Sequence, residues 1–273
     1  MPELPEVETV RQILKKELVG NKITNVNLHY PKIIEYPTSD IFKELIINQT
    51  INDIKRRGKW LMFDLDDYYL LSHLRMEGKY NLKKPSDVLG KHEHVSFILS
   101  DSRELRYQDT RKFGRMHLIN KDLVYTTFPL NELGLEPWDE ALTIKYLKDK
   151  YKNKKLPIKT VILDQSIIVG IGNIYADEIL FLSNINPYKK PSELTNKELQ
   201  SIIDNTKKVL EHAIELGGTT IRTFTAAEGV HGRFQNELYV HGKEKEECLI
   251  CGSTILKTKI NGRGTYYCPK CQK

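Results

Sequence analysis

All four cysteines of the chain lie in its last 26 residues, as two C-x2-C pairs that are sixteen residues apart. The pairs are Cys248 with Cys251 and Cys268 with Cys271. This spacing lies within the range of a zinc site with four cysteine ligands. Four thiolates complete a tetrahedron and leave no position for a catalytic water, so the predicted metal is a structural Zn²⁺. A redox site or an iron–sulfur cluster is the less favoured alternative.

The residues between the cysteine pairs predict a β-hairpin. Two short β-prone runs flank Asn261-Gly262, which is a favoured two-residue type I′ turn. Residues 248–273 also contain no Asp or Glu but five basic residues, namely Lys257, Lys259, Arg263, Lys270 and Lys273. We therefore predict a zinc ribbon whose hairpin contacts phosphates, with Arg263 at its tip. A basic surface that only keeps the protein in solution is the alternative.

The remaining composition is that of an ordinary globular protein. The 273 residues are 40% hydrophobic and 29% charged, enough for two modest domains or one with a small appendix. No apolar run approaches the ~20 residues of a membrane span, and the acidic N-terminus lacks the apolar segment of a signal peptide. We expect a cytoplasmic protein without membrane contact. The formal net charge of +6 permits a polyanionic partner without proving one.

Hydrophobic periodicity divides the chain into regions. Pro5 suits the first turn of a helix over residues 5–20, whose apolar residues recur at helical spacing. Residues 22 to about 120 predict the strands of a sandwich or barrel-like sheet, the clearest runs being ITNVNLHY, WLMFDL, YYLLSHL, HVSFILS and GRMHLI.

A helical period follows from about residue 141 to 217. Its clearest helix begins at the capping box formed by Thr195 and Glu198. The Gly- and Thr-rich run after Gly218 has the length of a functional or mobile loop. We expect an N-terminal domain at 1–133, a linker at 134–150, a helical domain at 151–237 and the ribbon at 238–273.

Three motifs, in the same order along the chain, resemble the bacterial formamidopyrimidine-DNA glycosylase family. They are PELPEVET at the N-terminus, GIGNIYADEILF in the helical region and the C-terminal zinc ribbon. The resemblance implies an α+β multidomain protein with an N-terminal β-sandwich that begins with a helix, a helical domain with a helix–two-turn–helix element, and a zinc-ribbon hairpin. It implies a protein that binds double-stranded DNA between its two halves and removes 8-oxoguanine and formamidopyrimidines. We also expect a monomer.

The resemblance also gives the opening stretch a catalytic role. After removal of Met1, the secondary amine of Pro2 would attack the sugar C1′ and form a Schiff base that permits β- and then δ-elimination. A free α-amino group has a reference pKa of about 7.7–8.0, so part of it is neutral near pH 7. Glu3 suits general acid–base work on the sugar or the base. Glu6 belongs to the same pocket.

Further site residues follow from the same resemblance. Lys59, in a basic run with Arg56 and Arg57, would contact a phosphate and act as acid in the first elimination, and Arg263 would serve the second. The predicted DNA contacts are His73, His94, Lys155, Lys159 and Asn173.

A flipped base leaves a hole in the duplex, which Met76 and Phe113 would fill while Arg111 binds the orphaned cytosine. Thr219 and Thr220 would read N7–H of the lesion.

Some alternatives remain open. Lys155 is equally compatible with a plain charged turn, and a metal pair at His92 and His94 is disfavoured because no third ligand is near. A sister class of the same fold removes oxidised pyrimidines; Leu4 and the long Gly/Thr-rich loop favour the purine class. A non-catalytic zinc-ribbon DNA-binding protein would need neither a proline amine nor Glu3.

Overall fold

The N-terminal helix α1 spans Leu4–Leu18, close to the predicted bounds. Its first turn contains Pro5, and the carboxylate of Glu6 accepts the backbone N–H of Glu3 at 2.8 Å. A side chain thus satisfies a donor that precedes the helix. The face of α1 that carries Val7, Val10 and Leu14 is buried in the hydrophobic core.

The computed structural model describes residues 1–219 and 232–273, which divide into two compact units. The first unit comprises Met1–Asn131 and Thr219–Gly232, and the second comprises Glu132–Gly218 and Arg233–Lys273. The predicted lesion-reading residue Thr220 lies outside the described residues.

The first unit contains α1, a second helix and two β-sheets. The elements are β1 Ile23–Leu28, β2 Ile34–Tyr36, α2 Ser39–Ile46, β3 Asp53–Arg57, β4 Trp60–Asp64, β5 Tyr68–His73, β6 Lys79–Lys83, β7 Glu93–Leu99, β8 Glu104–Gln108 and β9 Arg115–Asn120. One sheet has the order β1-β7-β8-β6 and the other β2-β9-β5-β4-β3; β2 and β9 are parallel and the other neighbours antiparallel. Phe63 from one sheet and Phe97 from the other share one hydrophobic core.

The five predicted strands are confirmed as β1, β4, β5, β7 and β9. The sequence analysis missed the remaining strands and α2. Strand β3 (DIKRR) shows why, because only Ile54 of its five residues is buried. A strand with so little apolar alternation gives almost no periodic signal.

The second unit is helical and ends in a hairpin. Its elements are α3 Ile144–Tyr151, α4 Ile158–Val161, α5 Asn173–Leu182, α6 Asn196–Glu215, β10 Leu256–Ile260 and β11 Arg263–Tyr267. The capping box at Thr195 is confirmed: its hydroxyl accepts the N–H of Glu198, whose carboxylate accepts the N–H of Thr195. Asn261 and Gly262 have φ of 49° and 80°, as a type I′ turn requires. Among the described residues, no helix combines the length and apolarity that crossing a membrane requires.

Candidate functional site

Pro2 and Glu3 lie immediately before α1, at the positive end of its dipole. Both are buried, and Glu3 is only 2% exposed although it carries a carboxylate. The Pro2 nitrogen becomes a secondary amine only when Met1 is cleaved. A proline amine beside a buried carboxyl group can combine nucleophilic attack with proton transfer.

Glu6 joins this N-terminal pair to a distant part of the chain. One carboxylate oxygen accepts the N–H of Glu3 at 2.8 Å. The other accepts both the N–H and the hydroxyl of Thr219, at 2.7 and 2.9 Å. Three predicted site residues, Glu3, Glu6 and Thr219, are therefore brought together within the first unit. Thr219 is also the last described residue before the predicted lesion-reading segment.

Lys59 and His73 lie near each other at the β3–β4 turn and the end of β5. Trp60 pairs with His73 in the β4–β5 register, and their rings meet edge-on with centroids 4.8 Å apart. Burial, with smaller contributions from the nearby Arg75 and Lys59 charges, lowers the pKa of His73 to about 3. The ring is therefore neutral near pH 7.

The tautomer of His73 follows from one hydrogen bond. The backbone N–H of Arg75 donates to Nδ1 of His73 at 3.0 Å. In the neutral ring, the proton must then reside on Nε2. His73 can thus offer an uncharged N–H donor to a phosphate or sugar oxygen, while Lys59 supplies the charge.

A rigid turn presents the predicted wedge. Asp109 is fully buried, and its carboxylate accepts the backbone N–H groups of Arg111, Phe113 and Gly114 at 2.8–3.0 Å. The turn leaves the Phe113 ring 45% exposed, and the Arg111 guanidinium lies 4.7 Å from its centroid. An ordered, exposed aromatic ring next to a cation suits insertion into a kinked base stack. The sequence analysis missed Asp109, although Asp is a common turn-initiating residue.

Met76, the second predicted wedge, is half-buried and follows Arg75, whose φ of 54° marks a tight turn.

His94, a predicted DNA contact, lies in the interior of the first unit. Its side chain is buried, and Nε2 lies 2.7 Å from the backbone carbonyl of Asp109. His94 thus supports the residue that organises the wedge turn instead of facing outward. The physical reason is that β7 is covered on both faces, so a histidine there points into protein.

Asn173 begins α5 and contacts the ribbon. Its Nδ2 donates to the backbone carbonyl of Gly264 at 2.9 Å, and Gly264 follows the exposed Arg263 on β11. The second N–H of the amide and the N-terminus of α5 can both receive a phosphate. Two of the predicted phosphate contacts are therefore neighbours within the second unit.

Lys159 lies in the interior of the second unit. The sequence analysis placed it near DNA, but it has no exposed surface, and its Nζ lies 2.6 Å from Asp177 and 2.9 Å from the carbonyl of Asn173. A buried lysine is stable in its charged form when an acid pairs with it. Lys155, in contrast, is exposed.

The four cysteines have the geometry of a tetrahedral metal site. Their sulfur atoms all lie within 4.8 Å of one another, with 3.9 Å between Cys248 and Cys271 and 3.5 Å between Cys251 and Cys268. Zn–S bonds of about 2.3 Å would place tetrahedral sulfurs about 3.8 Å apart, whereas a disulfide would need about 2 Å. The donor set and its spacing therefore fit Zn²⁺, with no position left for substrate.

Three family descriptions match successive parts of the chain. They are the formamidopyrimidine-DNA glycosylase N-terminal domain over residues 1–116, the formamidopyrimidine-DNA glycosylase H2TH domain over 133–225, and the zinc finger found in FPG and IleRS over 245–273. Together they account for most of the sequence.

Full-length relatives and solved structures agree with this match. The formamidopyrimidine-DNA glycosylase of Oceanobacillus iheyensis is 45% identical over the whole chain and 98% of its own length, and that of Bacillus cereus is 46% identical over 100% and 99%. A complex of the Lactococcus lactis Fpg with abasic-site DNA has a TM-score of 0.93 at 42% identity, covering 99% of both chains. A mutant of that protein bound to DNA containing Fapy-dG gives a TM-score of 0.94 at 41% identity, covering 100% of both.

Proposed function

Because the chain belongs to the formamidopyrimidine-DNA glycosylase family, we propose that it removes 8-oxoguanine and formamidopyrimidines from duplex DNA and then cleaves the abasic site. In this proposal the chain is a bifunctional DNA glycosylase and abasic-site lyase. Its nucleophile is the N-terminal amine of Pro2.

The observation that carries the proposal is the Glu6 contact. One carboxylate oxygen of Glu6 holds Glu3, which is next to the proposed nucleophile. The other oxygen holds Thr219, which is next to the proposed lesion-reading segment. Nucleophilic attack is fast only when the reacting group is held in the right position relative to the substrate. A non-catalytic DNA-binding protein has no need of such a contact at its N-terminus.

The first steps use the amine of Pro2 and the carboxyl group of Glu3. The amine attacks C1′, the C1′–N9 bond breaks, and its electron pair leaves with the base, which takes up the proton that the amine loses. Glu3 transfers a proton to the sugar ring oxygen, and the ring opens to an iminium ion between Pro2 and C1′.

The iminium ion then acts as an electron sink for both eliminations. Loss of the C2′ proton expels the 3′ phosphate, for which Lys59 supplies positive charge and a proton. Loss of the C4′ proton then expels the 5′ phosphate, with Arg263 on the phosphates that flank the lesion. Water finally hydrolyses the iminium ion and frees Pro2.

The remaining residues hold DNA in the form that the chemistry needs. The exposed ring of Phe113, with Met76, fills the space left by the flipped base, and Arg111 binds the orphaned cytosine. His73, Asn173 and Lys155 contact the backbone. One Zn²⁺ on the four cysteines stabilises the ribbon, and we propose that the protein acts as a cytoplasmic monomer.

Base release from matched duplexes tests the substrate proposal. One duplex carries 8-oxoguanine opposite cytosine, and the other carries thymine glycol in the same sequence. We expect single-turnover release of 8-oxoguanine to be at least tenfold faster. The opposite order would assign the chain to the class that removes oxidised pyrimidines, and release of neither base would leave only DNA binding.

A further inference from the structure

We infer that His241 is a positioning residue: through a hydrogen bond to a buried ion pair and a ring contact with the zinc-ribbon hairpin, it helps to fix the orientation of the hairpin and hence of Arg263. The inference rests on the proposed role of Arg263 at the phosphates that flank the lesion. All residues involved lie in the second unit.

The buried ion pair provides a fixed reference point. Asp177 and Lys159 have no exposed side-chain surface, and their charged atoms are 2.6 Å apart. Lys159 also donates to the backbone carbonyl of Asn173 at 2.9 Å. The pair therefore fixes the first residue of α5, whose side chain binds the carbonyl of Gly264 on β11. This is one connection from the ion pair to the hairpin.

His241 makes a second connection. Its Nδ1 lies 2.7 Å from the carboxylate oxygen of Asp177 that Lys159 does not use. Its ring packs edge-on against Tyr266 of β11, with centroids 4.8 Å apart. The backbone N–H of His241 donates to Glu178 at 2.8 Å, so the residue is also fixed from its main chain.

The two connections reach β11 two residues apart, at Gly264 and Tyr266. Tyr188 also holds the hairpin, through a hydrogen bond with Thr258 and an edge-on ring contact with Tyr267, and the two connections from the ion pair add to this on the strand that carries Arg263. Arg263 is the residue next to Gly264, at the turn end of the strand. Its guanidinium needs a defined direction to clamp a phosphate with two hydrogen bonds.

Two properties of histidine are needed at this position. The ring nitrogen bonds the carboxylate, and the ring edge packs on tyrosine. Phenylalanine would retain only the aromatic contact, and glutamine only the polar one. His212 offers a matched control, because its Nδ1 is 3.5 Å from Glu215 and its ring meets Phe234 edge-on, but it is half-exposed on α6 and neither of these partners lies in the ribbon.

The test compares elimination products on a duplex with a single abasic site, under saturating protein. The variants are Arg263→Ala, His241→Phe, His241→Gln, His212→Phe and the double variant of Arg263→Ala with His241→Phe, each checked for bound zinc and melting temperature. We expect His241→Phe to lower the ratio of δ- to β-elimination product three- to tenfold with zinc retained. His241→Gln should recover part of the ratio, and His212→Phe should match the native chain.

The double variant separates positioning from general damage. If His241 acts through Arg263, adding His241→Phe to Arg263→Ala changes the ratio no further. Two outcomes would overturn the inference and leave the proposed function standing. In the first, the product ratio falls further in the double variant than in Arg263→Ala alone. In the second, Arg263→Ala lowers the ratio but His241→Phe keeps the native one. A native ratio in Arg263→Ala would instead contradict the proposed role of Arg263, and the inference with it. Should His241→Phe lose zinc, Tyr266→Leu removes the same ring contact from the other side and must lower the ratio.

Discussion

Each unit contains a buried glutamate that accepts at least one backbone N–H from a distant segment. In the first unit, Glu6 accepts the N–H groups of Glu3 and Thr219. In the second, Glu178 accepts three successive N–H groups, from residues 239 to 241. The local chemistry is alike, but Glu6 holds groups that we propose to react or to read the lesion, whereas Glu178 holds the chain that leads into the ribbon.

The contacts of Glu6 and those of Glu178 contribute to the proposed reaction in different ways. The first unit fixes the groups that we propose to react, so its polar contacts should appear in the rate of chemistry. The second unit fixes the scaffold of the proposed phosphate contacts, so its polar contacts should appear in stability, in DNA affinity and in the product ratio. Burial raises the pKa of Glu178 above its ordinary value even though three backbone N–H groups donate to its carboxylate.

The largest expected effect is on the rate of base release, through Glu3 of the first unit. Glu3→Gln removes the proposed proton donor but keeps the size and polarity of the side chain. We expect base release from the 8-oxoguanine duplex to slow by at least about 100-fold, within the range for loss of a general acid. Single-turnover kinetics measure it. A loss below threefold would exclude Glu3 from the chemistry.

In the second unit, the largest expected effect is the loss of zinc and of DNA affinity when the ribbon is disrupted. Cys248→Ser leaves three thiolates, and the small hairpin has little core of its own. We expect loss of zinc and at least a tenfold weaker affinity for damaged duplex, while circular dichroism of the rest stays near native. Native zinc content together with native affinity would contradict a structural metal.

Exchanging the two glutamates for glutamine tests the comparison itself. Glu6→Gln should slow base release by about tenfold or more with little change in stability, since the amide cannot accept on both atoms. Glu178→Gln should lower the free energy of unfolding by about 1–3 kcal/mol, the usual cost of a disrupted buried hydrogen bond, with near-native rates for the folded fraction. Denaturant titration and single-turnover kinetics measure both, and the reverse pattern would refute the division of roles.

The smallest effect concerns acid stability through His73. Its pKa is about 3 in the folded chain and near its ordinary value of 6.5 when unfolded. Between these values only the unfolded state takes up the proton, so stability falls as pH decreases from 6.5 and is unaffected above it. On going from pH 7 to pH 5, His73→Gln should lose about 1–2 kcal/mol less than the native chain in denaturant titrations. Equal losses of stability in the native chain and in His73→Gln would show that folding does not prevent protonation of the His73 ring.

Sequence alone predicted the elements whose signals are local. Helix α1, the capped α6, the turn at Asn261 and the cysteine spacing each depend on residues a few positions apart. The partner of Glu6 could not be found this way, because Thr219 is 213 positions away. The sequence also could not show that His94 and Lys159 are buried, since a polar residue enters the interior only when tertiary structure supplies its partner, here Asp109 and Asp177.

The identity of the nucleophile is the central claim, and covalent trapping tests it most directly. The mature protein is incubated with 8-oxoguanine duplex and borohydride, the complex is digested, and mass spectrometry locates the reduced sugar adduct. We predict a single adduct on an N-terminal peptide that begins at Pro2, and no trapping by a chain whose Met1 is verified as intact. An adduct on a lysine such as Lys59, or normal trapping with Met1 retained, would contradict the account.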